Sequence, residues 1–422
     1  MKLLKLNQEG IAHWLVPALV MAIVGVVGVR VLTATHAAAP SSVTTSNASK
    51  PTPLIYTSST SSGTTYSVYA YDSSAKSNLI EGPSANTAYQ YPSYSPNGKQ
   101  AVWVQTNTSG SNTGYMQFYN ANNQTLTGNY VLPGGETISG GGLYEVKPAW
   151  FPGSSKIAFA LESSSGIYSI QTLTTSGNWH DVANLSSSYG NIDSVAVTND
   201  GNYVVFGTST GVYAVKVSDP SKITTLWNES DALLKGPVDP SDTNCYATEA
   251  QPGTTDGVGW ICNYSGSNVN DSGWEVDSGL IKASSYTTIY SDQYSGTGTA
   301  TFYNIQDLAW SPNGNELALD TIKEHVVGNS ESCGKDTVQT SILGLTDSKG
   351  ASPTKIASGQ VNPSPCKGGG NETYDNNDLA WSPDGSSLAY IDNDYIYAIP
   401  PSNSSGSSAP VLVSSNSAEL DW

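Results

Sequence analysis

The residue pattern that most suggests catalysis is Gly207-Thr-Ser-Thr-Gly211, which matches the G-x-S-x-G sequence of a nucleophile elbow. Such an elbow needs a strand before the serine and a helix after it. Here both flanking segments, Tyr203–Phe206 and Val212–Val217, have the short alternating apolar pattern of strands. The only histidines beyond the N-terminal segment, His180 and His325, have no recognisable triad context. The motif is therefore interpreted as a hairpin turn, and no catalytic residue is assigned.

Carboxylates are abundant, and two suitably placed carboxyl groups suffice for glycoside hydrolysis. Their spacing singles out no pair, so a glycan hydrolase or lyase stays an alternative that depends on how the fold brings carboxylates together. A Ca²⁺ site in the long loops is a further possibility, although no metal and no cofactor is assigned. The loop carboxylates considered for Ca²⁺ are Asp239, Asp242, Asp271, Glu324, Glu331 and Asp375.

The charge balance excludes one class of partner. Beyond residue 39 the chain has 14 lysines, no arginine and 34 acidic residues, which gives a net charge of −20. Such a surface repels phosphate backbones and lacks the guanidinium groups that bind anions in a bidentate way. Nucleic acid is therefore excluded as a partner.

The N-terminal region has the features of a targeting segment. Residues 1–10 contain two lysines and predict a cytoplasmic tail, and residues 11–34 are almost wholly apolar, with no charge in Trp14–Val29. This length predicts a transmembrane signal-anchor with the rest of the chain outside the cytoplasm. The alternative is a signal peptide cleaved near Ala37-Ala38-Ala39, which would make the protein secreted. Residues 35–52 read as a Ser/Thr/Pro-rich linker.

Four cysteines in an exported chain fit two disulfides. Cys245 and Cys262 fall on the two strands of one predicted hairpin, so they face each other at cross-strand distance. Cys333 and Cys366 lie in two long insertions and form the second predicted pair. The alternative is that all four are small buried thiols. A metal site is not favoured, because the chain has no C-x-x-C and its histidines lie elsewhere.

The elements that must position these residues come from a repeat. Ile305–Gly314 (IQDLAWSPNG) and Asn377–Gly385 (NDLAWSPDG) each predict a short strand and a tight turn that leads into an apolar strand. In the turn, Ser starts the reversal, Pro fixes φ, and Asn or Asp followed by Gly accepts positive φ. Weaker copies lie at Tyr94, Trp150 and Val197. Units of four short antiparallel strands that recur in this way predict the blades of a propeller.

The run D-L-A-W-S-P-[DN]-G-x-x-L-A resembles the WD40-like PD40 repeat of TolB-like β-propellers, and the resemblance extends over roughly residues 53–422. It implies an extracytoplasmic propeller that binds other proteins or sits beside a catalytic domain, without catalytic residues of its own. The aromatic residues at the repeat positions are interpreted as packing between blades rather than as a sugar platform; they are Trp150, Trp310, Trp381 and Trp422.

The number of blades follows from two fragments at the chain ends. The sequence yields six complete blades, of which the one over 244–291 is degenerate. The last residues, Glu419–Trp422, align with Asp378–Trp381 and stop where the turn should begin, whereas Pro53–Thr57 looks like a second strand without its first. We therefore predict an all-β propeller of seven four-stranded blades over residues 53–422, closed by the C-terminal strand and preceded by one transmembrane helix. Six or eight blades are the alternatives.

The long segments all fall between second and third strands or between blades, and so emerge on one side of the disc, the long-loop face. The turns of the Ser-Pro-Asn/Asp-Gly type emerge on the opposite side, the short-turn face. Because functional residues are often carried by loops on a rigid scaffold, we predict that a protein or glycan partner binds the long-loop face, centred on Thr321–Asp336 and Ser358–Asn376. The other long segments are Thr106–Gly114, Pro133–Glu145, Asn228–Asp242 and Asn263–Gly273.

The function predicted from the sequence is a membrane-anchored, extracytoplasmic, non-catalytic binding scaffold. A cell-envelope glycan hydrolase or lyase with carboxylates at the propeller channel is the competing class. A structural surface-layer component is a third possibility. The sequence identifies neither the partner nor the oligomeric state.

Overall fold

In the computed structural model the described residues are all-β and form seven antiparallel sheets, with three short 3-10 turns as their only helical elements. The described residues are 54–59, 66–72, 76–81, 87–107, 114–133, 137–138, 146–163, 166–232, 238–266, 271–283, 285–295, 300–326, 337–345, 354–358, 362–363, 378–392, 395–399, 411–415 and 417–421.

The first four sheets, taken in chain order, define blades 1 to 4. Their strands are β1 (Leu54–Ser59), β2 (Tyr66–Asp72) and β3 (Lys76–Glu81) in blade 1; β4 (Thr87–Tyr94), β5 (Gln100–Asn107), β6 (Gly114–Asn120) and β7 (Thr125–Val131) in blade 2; β8 (Thr137–Ile138), β9 (Ala149–Trp150), β10 (Lys156–Glu162), β11 (Tyr168–Thr174) and β12 (Trp179–Asn184) in blade 3; and β13 (Ile192–Val197), β14 (Tyr203–Thr208), β15 (Gly211–Lys216) and β16 (Asp219–Asn228) in blade 4.

The remaining strands form blades 5 to 7 and return to blade 1. They are β17 (Val238–Ala250), β18 (Gly257–Gly266), β19 (Asp271–Leu280) and β20 (Ser285–Ser295) in blade 5; β21 (Ala300–Trp310), β22 (Leu317–Val326), β23 (Thr337–Leu345), β24 (Thr354–Ser358) and β25 (Asn362–Pro363) in blade 6; β26 (Leu379–Trp381), β27 (Leu388–Asp392), β28 (Tyr395–Ile399) and β29 (Val411–Ser415) in blade 7; and β30 (Ser417–Asp421), which joins blade 1.

The ring closes through its last strand. β30 pairs antiparallel with β1, with Tyr56 opposite Leu420, so the fourth strand of blade 1 comes from the C-terminus. The innermost strands β30, β4, β9, β13, β17, β21 and β26 contact one another in that order and return from β26 to β30. The seven-bladed propeller and its closure by the C-terminal strand, both predicted from the sequence, are therefore confirmed.

The hydrophobic core is divided among the seven junctions between neighbouring blades. Each buried cluster draws its side chains from two adjacent blades, and seven such clusters account for all the junctions of the described ring. β10 shows how one strand serves two of them. Ile157 and Phe159 pack towards blade 2, and Ala158 and Ala160 pack towards blade 4. Successive side chains of a strand point to opposite faces, so a blade must be apolar on both faces.

The repeated turns have the chemistry that the sequence predicts. In blade 6 the Ser311 hydroxyl accepts a hydrogen bond from the N–H of Glu316 and donates to Asn313 Oδ1, both at 2.9 Å. Gly314 follows with φ of +70°, a conformation that favours glycine. An equivalent side-chain hydrogen bond recurs at Ser95, Thr198 and Ser382, so the weaker copies at Tyr94 and Val197 form the same turn as the strong ones.

Blades 5 and 6 differ from the sequence prediction in the length of their strands. Parts of three predicted loops are strand: Asn228–Asp242, Asn263–Gly273 and Thr321–Asp336. The strand β17 already begins at Val238, and β22 continues to Val326. Between them, β18 ends only at Gly266 and β19 begins at Asp271. These segments are polar, with no apolar alternation to mark them as strands, and cross-strand pairing alone extends them. Blades 5 and 6 are consequently taller than the others on the long-loop face.

A disulfide joins Cys245 and Cys262, which are register partners on β17 and β18 with their Cα atoms 4.1 Å apart. The prediction of a disulfide is confirmed at this pair, which lies buried in the junction between blades 4 and 5. Cys333 and Cys366 lie outside the described residues, as do the predicted cytoplasmic tail, signal-anchor and linker over residues 1–52. None of the helical elements among the described residues has the length and hydrophobicity of a membrane span.

Deleting residues 417–422 should open the ring, because blade 1 would keep three strands and expose the edge of β1. We expect a fall in melting temperature of more than about 5 °C, or aggregation on heating. Ser417→Ala, which leaves the backbone of β30 in place, is the matched control. A truncated protein that melts like the full chain would show that β30 does not close the ring.

Candidate functional site

The centre of the ring gathers acidic side chains on the inner strands. An innermost strand pairs with a neighbour on one side only, so its other edge presents unpaired N–H and C=O groups towards the axis. In four successive junctions, an acidic side chain of one blade accepts a hydrogen bond from an inner-strand N–H of the next. The bonds run from the N–H of Trp310 to Glu249 (2.8 Å), of Leu379 to Asp307 (3.0 Å), of Leu420 to Asp378 (2.7 Å) and of Tyr94 to Asp421 (2.6 Å).

Lys147 supplies an ammonium group to this set of carboxylates. It lies just before β9 in blade 3, yet its Nζ forms an ion pair with Asp378 of blade 7 and donates to the carbonyl oxygen of Leu420 in blade 1 at 2.8 Å. Blades 3 and 7 are not neighbours, so the side chain reaches across the middle of the ring. We call Lys147 with Glu249, Asp307, Asp378 and Asp421 the central cluster.

The electrostatics of the central cluster follow from four acidic groups and one cation. Burial by itself would lower the pKa of Lys147, but Asp378, Asp421 and Asp307 outweigh it and raise the pKa above its usual value. Burial, reinforced by Asp378, raises the pKa of Asp307 to about 8. Burial likewise raises the pKa of Glu249 well above its usual value. The ammonium is therefore firmly protonated, and some of the carboxyl groups retain a proton near neutral pH.

Asp320 adds a fifth carboxyl group beside the cluster. It lies on β22 directly opposite Asp307 on β21, and its side chain is fully buried. Neither oxygen of its carboxyl group has a hydrogen bond of good geometry. Burial, followed by the charges of Asp307 and Asp392, raises its pKa well above the usual value.

A second pair of buried carboxyl groups lies away from the axis, between blades 4 and 5. Glu275 and Asp277 occupy the same face of β19, and Glu275 accepts a hydrogen bond from the indole N–H of Trp227. Burial raises the pKa of both groups. Because both side chains are at most 1% exposed, this pair is part of the junction and has no access to a ligand from solvent.

The residues considered for catalysis are not brought together. Ser209 lies in the two-residue turn between β14 and β15, and a strand rather than a helix follows it, so the predicted hairpin is confirmed. His180 is exposed on β12, the outer strand of blade 3. His325 lies on β22 in blade 6. Ser209, His180 and His325 therefore lie on three different blades.

The interpretation of the candidate Ca²⁺ ligands as loop residues is wrong for four of the six. Asp239 and Asp242 lie on β17, Asp271 on β19 and Glu324 on β22, whereas Glu331 and Asp375 lie outside the described residues. Among the described residues, no group of three or more His, Cys, Asp or Glu side chains could hold a metal ion.

The repeat tryptophans pack between blades, as the sequence predicts. Trp150, Trp310 and Trp381 are all at least nine-tenths buried. The indole of Trp381 donates to the carbonyl oxygen of Ala309 in blade 6 at 3.0 Å, and the indole of Trp150 donates to that of Ser93 in blade 2 at 3.1 Å. These bonds satisfy carbonyl groups of the inner strands, as the carboxylates satisfy their N–H groups. Trp422 lies outside the described residues.

Sequence reasoning missed the central cluster, although the repeat contained a signal for part of it. Asp307 and Asp378 both stand three residues before the repeat tryptophan, and Lys147 occupies the same place before Trp150. A lysine where two other copies have aspartate indicates complementary charges facing one centre. Glu249 and Asp421 stand one residue before the repeat position instead, and only the closed ring shows that they join the same cluster.

The short-turn face is occupied by contacts among its own turns. The Asn97 N–H donates to the Ser154 hydroxyl of the next blade, and the Asn199 side chain donates to the carbonyl oxygen of Gln251 at 2.8 Å. A Cβ atom on Gly314 would lie 2.2 Å from the carbonyl oxygen of Pro252, so the turns of blades 5 and 6 also meet closely. The turns of the short-turn face therefore contribute to the contacts between neighbouring blades.

Comparisons with solved structures agree on the fold. The chain is similar to an oligogalacturonate lyase from Vibrio parahaemolyticus with a TM-score of 0.54 and 8% identity, covering 84% of this chain and 93% of that one. It is similar to an oligogalacturonate lyase in complex with manganese with a TM-score of 0.52 and 9% identity, covering 81% and 84%. The sequence matches no protein-family profile and no curated protein. At these identities the likeness shows the propeller fold alone.

Replacing Lys147 by Met should destabilise the ring, because it leaves Asp378 and its neighbours without their cation. The pair is partly buried, with the Lys147 side chain 31% exposed, so we expect a loss between the about 1 kcal/mol of an exposed pair and the about 3 kcal/mol of a buried one. A denaturant titration near neutral pH would measure it. Lys222→Met is the matched control, since Lys222 is exposed and forms a surface pair with Asp219 that should not contribute measurably. Equal losses in the two variants would show that the central ion pair has no special weight.

Proposed function

We propose that the protein is a non-catalytic binding scaffold held at the extracytoplasmic side of a membrane by residues 11–34, with the partner bound on the long-loop face. The observation that carries the proposal is the engagement of the central cluster in joining blades. Each of its four acidic side chains accepts an inner-strand N–H from the following blade. Groups that hold the ring together are poorly suited to act also as a general acid or a nucleophile. We therefore assign the binding function to the faces of the propeller disc.

The two faces are not equivalent, and this difference supports the long-loop face. On the short-turn face, the turns of neighbouring blades contact one another. On the long-loop face, blades 5 and 6 rise above the rest, since seven of their strands have nine to thirteen residues whereas those of blade 7 have three to five. Five further residues add about 16 Å of strand. The two tall blades form a wall beside which a partner can lie.

The charge of the chain narrows the class of partner. With a net charge of −20 beyond residue 39, the surface attracts cationic groups and repels polyanions at long range. We therefore expect a protein with a basic surface or an uncharged glycan.

The disulfide Cys245–Cys262 in blade 5 is in keeping with an oxidising compartment outside the cytoplasm. Alkaline extraction of membranes would test the retained anchor, because a cleaved protein would be released.

Replacing residues 327–336 and 364–376 with short Gly-Ser turns tests the binding face. These segments connect β22 to β23 and β25 to β26, so the replacement spares every described strand. We expect binding of the envelope partner, captured by cross-linking with the full-length protein, to be lost while the melting temperature changes by less than about 2 °C.

The control for this experiment is a set of alanine substitutions on the short-turn face, at Asn97, Asn313 and Asp384. The scaffold proposal expects these variants to bind the same partner. Binding that survives replacement of both loops and disappears with the short-turn substitutions would place the partner on the other face.

An envelope glycan lyase or hydrolase is the second candidate, favoured by the convergence of carboxylates on the channel and by the likeness to oligogalacturonate lyases. Oligogalacturonate is a polyanion, and a centre with four acidic groups and one ammonium repels it. A neutral glycan would suit this centre better.

We expect the full-length protein in detergent to give neither unsaturated products from polygalacturonate nor new reducing ends from neutral envelope glycans. Asp307→Asn is the matched variant, because an amide oxygen can still accept the Leu379 N–H. Turnover by the wild type that this substitution abolishes would establish the enzyme and overturn the scaffold.

A further inference from the structure

The C-terminal strand β30 is held by the central cluster as well as by its pairing with β1. The N–H of Leu420 donates to Asp378, and the carbonyl oxygen of the same residue accepts from Lys147. The carboxylate of Asp421 accepts the N–H of Tyr94 in blade 2. Both backbone groups of Leu420 that face the axis therefore depend on the ion pair between Lys147 and Asp378.

That ion pair stands next to two carboxyl groups that face each other. Asp307 and Asp320 are directly opposite on β21 and β22, and like charges in this position destabilise a sheet. Asp307 accepts the N–H of Leu379 in blade 7, whereas Asp320 is fully buried without a hydrogen bond of good geometry. A protonated carboxyl group can donate a hydrogen bond. One proton on this pair therefore removes the charge repulsion and allows the buried carboxyl oxygens to take part in a hydrogen bond.

The charged and titratable groups that face the pair come from five blades. Besides Asp307 and Asp320 themselves in blade 6, they are Asp378, Asp392 and Tyr390 of blade 7, Asp421 of blade 1, Lys147 of blade 3 and Glu249 of blade 5. Lys147 is the one cation among them. If every carboxyl group ionised, a single ammonium would face six carboxylates, and the excess negative charge would press blades 6, 7 and 1 apart.

We propose that Asp307 and Asp320 form a proton-controlled lock on the C-terminal strand, protonated and closed in acid and loosened when the pair loses its proton. In the closed state the Lys147 ammonium group keeps its ion pair with Asp378 and its hydrogen bond to the Leu420 carbonyl oxygen. In the loosened state the ammonium is drawn towards the newly ionised pair, and β30 loses the contacts that seat it. This lock is independent of the proposed binding function.

The direction of the pH effect follows from the folded state holding protons that the unfolded chain releases. Burial and Asp378 raise the pKa of Asp307 to about 8, and burial and Asp307 raise that of Asp320 well above its usual value. The pKa of an unfolded aspartate is about 3.9. Between about pH 4 and pH 8 the folded protein therefore binds more protons, and its stability decreases as the pH rises.

Hydrogen–deuterium exchange of the full-length protein in detergent, read by mass spectrometry, tests the lock. After correction for the intrinsic exchange rate, we expect the protection of Ser417–Asp421 to fall about tenfold or more between about pH 5.5 and pH 8.5. The strand β11 in blade 3 should keep its protection and serves as the internal reference. Equal loss in both strands would mean that the whole ring loosens and would overturn a lock at β30.

Two variants each replace one carboxyl group of the pair by an amide of the same shape, which does not titrate. Asp320→Asn should keep β30 protected equally at both pH values, within about twofold. Asp307→Asn, whose amide oxygen can still accept the Leu379 N–H, should do the same and provides the test if the first variant fails to fold. Asp277→Asn is the matched control, because it neutralises an equally buried carboxyl group in blade 5 and should leave the pH response of β30 unchanged.

Three further results would overturn the lock. One is wild-type protection of β30 that does not change with pH, and another is an unaltered pH response in both Asp320→Asn and Asp307→Asn. The third is loss of the response in Asp277→Asn, which would place the proton-sensitive element between blades 4 and 5.

Discussion

The structure depends on satisfying the inner edges of seven strands that meet around one axis. Each inner strand is paired on one side only, and a buried N–H or C=O without a partner costs free energy comparable to a lost hydrogen bond. The chain meets this constraint with side chains from adjacent blades. Carboxylates such as Asp378 accept the N–H groups of the next blade, and indoles such as Trp381 donate to the carbonyl groups of the previous one. The same contacts fix the order of the blades.

This solution creates the charge problem that shapes the centre of the ring. Acidic side chains are effective acceptors for backbone N–H groups, but placing four of them around one axis concentrates negative charge where solvent screening is weak. Lys147 relieves part of that repulsion by reaching across the ring to Asp378. Burial and neighbouring negative charge raise the pKa of Asp307 and Glu249, so that protonation can offset the remaining excess. The carboxylates that join the blades therefore also determine the electrostatics at the centre of the ring.

Under the scaffold proposal, recognition falls to the long-loop face, because the centre and the short-turn face hold the blades together. The tall blades 5 and 6 stand on that face, and blade 5 is reinforced by the disulfide between β17 and β18. A cross-link between two strands of a blade restricts their motion, which under the scaffold proposal lowers the entropy that binding would cost.

The sequence by itself determined the features that depend on local order. Turn chemistry at Ser311–Gly314, alternation along the strands and the alignment of Glu419–Trp422 with Asp378–Trp381 were enough to predict seven blades and their closure, because each is a property of neighbouring residues. The cysteine pair on one hairpin was predictable for the same reason. The central cluster was not, since Lys147 and Asp378 are 231 positions apart and Tyr94 and Asp421 are 327 apart. Only the closed ring brings such residues together, and only pairing with a neighbouring strand turned the polar segment at Val238 into part of a tall blade.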